Sequence, residues 1–104
     1  MMTKTEYLLW VVAEECAEVA QRASKCARFG VEETEPGKLR NNAARLMDEW
    51  ADLIGVMTML RAHLGLPAVD SEMVLAKVRR VEQYAEYSRE LGILETTEKI
   101  NADE

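Results

Sequence analysis

Between Trp50 and Leu60 the chain reads Trp-Ala-Asp-Leu-Ile-Gly-Val-Met-Thr-Met-Leu, and Asp52 is the only charge in that run. At about 100° per residue, Met47, Trp50, Ile54 and Met57 fall on one side of a helix, while Val56, Met59 and Leu60 fall on another. A helix that is apolar nearly all round must be covered nearly all round. Two companion helices from the same chain are too few to do so. The run therefore predicts an oligomer, a homodimer or homotetramer, with this helix at its centre.

The rest of the chain supplies the companions. Only two prolines and five glycines interrupt 104 residues, and 48% of them are hydrophobic. That composition suits one folded domain over 1–104, rich in helix formers. A first helix is expected from Thr3 to Phe29, stopped by Gly30. A polar loop follows from Val31 to Gly37, with Glu-Pro-Gly as a turn. A second helix is expected from Lys38 to Leu64, closed by Gly65-Leu66-Pro67. Asp70 or Ser71 caps a third, which runs to Leu91 before Gly92. The polar stretch from Ile93 to Glu104 reads as a mobile tail. Short connections favour antiparallel neighbours, so the expected fold is an all-α antiparallel bundle of three helices, completed by dimerisation.

Charge and cysteine content exclude several classes. A net charge of −6 lacks the basic footprint that binding to nucleic acid requires. No stretch approaches the roughly 20 apolar residues of a membrane span. The apolar run Tyr7–Ala13 ends in Glu14-Glu15 with no basic leader, so it is not a signal peptide. Cys16 and Cys26 lie on one expected helix roughly 15 Å apart, too far to bridge. Two reduced, mostly buried thiols fit a cytoplasmic protein.

The acids are patterned. Leu8, Val11, Glu15, Glu18, Arg22, Lys25 and Phe29 follow steps of three and four along the first helix, which makes them one stripe. This stripe borders an apolar face of Val12, Cys16, Val19, Ala23 and Cys26. In the second helix Asn42, Arg45, Glu49, Asp52 and Val56 form a similar stripe. Each helix thus presents two carboxylates one turn apart in apolar surroundings. Such pairs destabilise an isolated helix by roughly 0.2–0.5 kcal/mol, and burying them uncompensated costs several kcal/mol each. A hard cation removes both penalties, and Mg²⁺ favours carboxylate oxygens together with water and phosphate.

Two of these segments, Glu14-Glu15-Cys16-Ala17-Glu18 and Glu49-Trp50-Ala51-Asp52, resemble the EExxE…ExxD signature of the MazG-like all-α nucleoside triphosphate pyrophosphohydrolases. Lys25-Cys26-Ala27-Arg28-Phe29-Gly30, the Glu35-Pro36-Gly37 turn, Asn42 and the run from Asp52 to Met57 are similar to small single-domain members of bacterial and phage origin. The likeness covers Leu8 to Ser88. The interval between the two acid motifs is long for the pattern, which the Val31–Leu39 loop accounts for.

The resemblance implies Mg²⁺-dependent hydrolysis of a nucleoside triphosphate to the monophosphate and pyrophosphate, with Mn²⁺ as a substitute. By motif position, Glu15, Glu18, Glu49 and Asp52 would hold the metal, while Glu14, Glu15 and Glu18 are candidates to orient or deprotonate the attacking water. Phosphates also need cations, and Lys25, Arg28, Lys77 and Arg80 are the candidates, with Arg22 beside them. Tyr84 shares a face of the third helix with Lys77. Asn42 could read the sugar or base through its amide, and Leu8, Val11 and Trp10 could line a base pocket. His63, about 16 Å along the helix from Asp52, reads as structural. Three alternatives stand beside this reading: a non-catalytic helical dimerisation or partner-binding module, a phosphoribosyl-ATP pyrophosphohydrolase, and a metal-bound nucleotide sensor.

Overall fold

A computed structural model describes residues 1–96, and over them the chain is helical with no strand. Three helices follow in order, α1 (Lys4–Phe29), α2 (Asn42–Leu64) and α3 (Ser71–Glu90). The expected all-α class is the observed one. Of the expected tail, residues 97–104 lie outside the described residues. No described helix is long and apolar enough to cross a membrane.

Each boundary has a local cause. Thr3 caps α1, its hydroxyl accepting from Glu6 N–H at 3.1 Å, which satisfies one of the free donors of the first turn. Gly30, at φ 97, ends the helix with its N–H on Cys26 O. Gly65 takes the left-handed conformation after α2, and Asp70 caps α3 through Glu72 N–H at 2.9 Å.

The start of α2 differs from the expected Lys38. Asn41 is the cap, accepting from Ala44 N–H at 2.9 Å, so Lys38 to Asn41 belong to the loop. The loop holds them there. Asn42 N–H donates to Glu33 O and Ala43 N–H to Val31 O, both at 2.9 Å, so the first donors of α2 are satisfied by the loop's carbonyls rather than by another helical turn. Pro36 and Gly37 form the expected turn, closed by Lys38 N–H on Glu35 O at 3.0 Å. Gly37 has φ 85, which favours glycine at that position of a type II turn.

Helices α1 and α2 pack as an antiparallel hairpin. Thr5 Oγ1 lies 3.1 Å from His63 Nε2 at one end. Arg22 Nη1 reaches Asn42 Oδ1 at 3.5 Å towards the other. Both contacts cross between the helices, and the rotation they accompany adjusts the expected faces. Most of the charged stripe of α1 turns inward: Leu8 and Arg22 are buried and Val11, Glu15, Glu18 and Lys25 half-buried, while Phe29 is exposed. Of the residues expected on the buried side, Cys26 is buried and Val12 and Val19 are half-buried, while Cys16 and Ala23 are exposed. On α2 the inward line is Asn42, Leu46, Glu49, Leu53, Val56 and Leu60.

Consequently the other side of α2 is bare. Trp50 is 49% exposed and Ile54 47% exposed, with Met47 and Met57 exposed beside them. Among the described hydrophobic residues only Leu8, Cys26 and Leu60 are buried.

The chain divides into two compact units, Met1–Pro67 and a second beginning at Ala68. The second unit contains α3. Its end is held by Arg89, which pairs with Glu86 at 3.2 Å and donates to Glu95 O at 3.1 Å.

Candidate metal centre

Halfway along the hairpin the two acid motifs meet. Glu15 and Glu18 project from α1, and Glu49 and Asp52 from α2, with one carboxylate oxygen of each lying within 4.8 Å of the others. The antiparallel register produces this: counting inward from the Thr5–His63 end, both motifs fall at the same level. The first three are half-buried and Asp52 is exposed.

The cluster has few compensating partners. Among the described residues no ion pair reaches any of the four. One oxygen of Glu15 and one of Glu49 are buried and accept no hydrogen bond. Burial raises the Glu49 pKa, reinforced by the adjacent Glu18 carboxyl and by the charge of Asp52. Arg22 opposes that rise without cancelling it. Converging oxygen donors that repel one another, two with unused buried lone pairs, fit a hard divalent cation. Glu14 is exposed and stands outside the cluster.

One turn beyond Glu18, a cleft of about 210 Å³ opens between α1 and the loop. Arg22, Lys25 and Phe29 form one wall, Glu33, Glu35 and Pro36 the other, and Asn42 closes it. Asn42 organises this region. Its Nδ2 donates to Gly30 O and to Glu33 Oε1, both at 2.9 Å. Its amide hydrogens are thereby committed within the protein, so Asn42 shapes the cleft rather than offering a free amide to a sugar or base. Arg45 Nη1 binds Glu35 Oε2 at 2.8 Å, and this guanidinium, helped by Lys25 and Lys38, holds the Glu35 carboxyl below its ordinary range.

The other expected contacts are distributed. Lys25 lines the cleft. Arg28 does not; its guanidinium sits over the Phe29 ring at 4.8 Å. Lys77, Arg80 and Tyr84 are exposed on α3, in the second unit. Leu8 is buried in the core and Trp10 is exposed on the outer side of α1. Glu33, Glu35 and Pro36 escape a sequence reading, because loop residues carry no periodic signal. The Asn41-Asn42 pair before the helix is the one hint of a pinned loop.

No protein-family model, curated protein or solved structure matches the chain.

Proposed function

We propose that this protein is a divalent-cation-dependent hydrolase that cleaves a nucleoside triphosphate into the monophosphate and pyrophosphate, acting as a homodimer or homotetramer. The observation that carries the reading is the meeting of four carboxylates within 4.8 Å, two of them with buried, unpartnered oxygens. The likeness of the two acid motifs to the MazG-like signature points the same way.

Glu15, Glu18, Glu49 and Asp52 would hold the cation, Mg²⁺ with Mn²⁺ as a substitute. Bound there, it supplies charge neutralisation for the triphosphate and a more acidic water. The chain's own residues do the rest. A carboxylate oxygen of Glu15 or Glu18 left free of the cation would be an acceptor to which an attacking water can donate, orienting it. Arg22 and Lys25, one and two turns from Glu18, are the cations nearest the cluster along α1 and can attract the nucleotide. The half-buried setting of the first three carboxylates keeps bulk water from part of the site, which strengthens these interactions.

The oligomer follows from the bare side of α2. Met47, Trp50, Ile54 and Met57 form an exposed apolar stripe, larger in kind than the scattered apolar residues of a monomer surface. A second copy of α2 is its natural cover, and a stable interface needs roughly 800 Å² from each partner.

A partner-binding module would instead pair the acids with an outside basic protein and show no turnover. The test is product analysis on a panel of ribo- and deoxynucleoside triphosphates. Equal amounts of monophosphate and pyrophosphate, formed with Mg²⁺ and not with EDTA, support the hydrolase; no product from any member overturns it.

A further inference from the structure

The cleft beside the acid cluster is not lined as a phosphate clamp would be. Arg22 and Lys25 face Glu33 and Glu35 across it, so a purely anionic ligand would meet repulsion on one wall. Phe29 and Pro36 add apolar surface. At about 210 Å³ the cleft is smaller than the roughly 300–1,000 Å³ of pockets that take whole ligands. It suits a flat, polar-edged fragment.

Its polar groups are oriented and only partly used. Arg22 is 8% exposed, and its buried Nε donates to nothing. A buried guanidinium donor without an acceptor is costly. Glu33 is held through Oε1 by Asn42 and Glu35 through Oε2 by Arg45. Each keeps its second oxygen free among the described hydrogen bonds. Lys25 makes no hydrogen bond among the described residues. One wall therefore offers donors and the other acceptors; Glu33, Glu35 and Arg22 are held by Asn42, Arg45 and Asn42 respectively, while the Lys25 ammonium is free to turn to a ligand.

We propose that this cleft is the base-recognition pocket of the nucleotide site and that it selects guanine. The inference rests on the nucleotide reading above. Guanine presents the O6 and N7 acceptors on one edge, the pair that Arg and Lys bind most often. Its N1–H and exocyclic N2 amine lie on the adjoining edge and suit carboxylate acceptors. Adenine lacks the carbonyl, and uracil and thymine lack the amine. Cytosine has both groups but neither the second ring nor N7. The position agrees: along α1, Arg22 and Lys25 lie roughly 6 and 10 Å beyond Glu18, on the order of the span from a nucleotide's α-phosphorus to its base.

The test is equilibrium binding of GMP, IMP, AMP, CMP and UMP to the full chain with Mg²⁺, by titration calorimetry, which needs no turnover. IMP differs from GMP only in lacking the exocyclic amine. GMP should bind about tenfold or more tightly than IMP and than the other three. Glu33→Gln should narrow the GMP-to-IMP ratio. Because Glu33 also anchors the loop, Lys25→Met is the second variant, and it should weaken GMP about tenfold without altering the melting temperature. Equal affinity for all five, no binding, preference for another base, or full GMP affinity in Lys25→Met overturns the proposal. Pyrophosphate release separates the two claims. Base selection without release removes the hydrolase and leaves the pocket; release without base selection does the reverse.

Discussion

The Asn42 amide donates to the Glu33 carboxylate across 2.9 Å, joining the first residue of α2 to a loop residue nine positions earlier. The same nitrogen binds Gly30 O, and the side chain is only 2% exposed. One residue thus closes the end of the hairpin and sets one wall of the cleft. Asn42→Ala should leave Gly30 O and Glu33 short of a donor and destabilise the fold by about 1–3 kcal/mol. Urea unfolding followed by circular dichroism would read this as a lower midpoint at unchanged slope. A midpoint equal to wild type would contradict the role.

Neutralising the cluster should separate activity from stability. Glu15→Gln and Asp52→Asn keep side-chain volume and remove charge. Each should abolish triphosphate turnover while the helical content stays the same. Without metal, Glu15→Gln should melt higher than wild type, because it removes a half-buried carboxylate from among three others. Thermal melts in EDTA check this, and full turnover in both variants would rule out the centre.

The raised Glu49 pKa gives a pH dependence with a definite sign. In the metal-free protein Glu49 holds its proton more tightly when folded than when unfolded, chiefly through burial. Its contribution to stability is therefore complete below the ordinary carboxylate pKa and is lost as pH rises through its raised folded value. Melting temperatures in EDTA, taken from mildly acid to neutral pH, should fall for wild type relative to Glu49→Gln. Saturating Mg²⁺ should shrink that difference. Parallel curves for the two proteins in EDTA would count against the cluster's electrostatics.

The exposed stripe on α2 makes a further prediction. Ile54→Glu puts a charge in the middle of Met47, Trp50 and Met57, and light scattering should report a smaller assembly than for wild type. A monomeric wild-type protein would remove the oligomer from the account.

Much of this architecture is legible in the sequence. Thr3, Gly30, Gly65 and Asp70 are capping residues at positions where capping is required, so α1 and α3 begin and end within a residue or so of expectation. The acid cluster is legible because two carboxylates at a three-residue spacing on each of two joined helices have few other reasons to share a stripe. The start of α2 is hidden, because Lys38, Leu39 and Arg40 are good helix formers and only the loop's hydrogen bonds exclude them. The inward face of α1 is hidden for a different reason. Cys16 and Ala23 continue the apolar line of Val12, Val19 and Cys26 yet are exposed, and Thr5–His63 and Arg22–Asn42 mark the rotation the hairpin adopts. These are contacts 58 and 20 residues apart in sequence, beyond the reach of periodicity. The cleft depends on the same kind of contact.

Whether Glu15, Glu18, Glu49 and Asp52 form a metal centre is read most directly by Mn²⁺ titration followed by electron paramagnetic resonance. It should be run on wild type and on Glu15→Gln, with a non-hydrolysable triphosphate present. Mn²⁺ should bind wild type saturably and the variant at least tenfold more weakly. Absence of protein-bound Mn²⁺, or equal affinity in the two proteins, would contradict the metal centre.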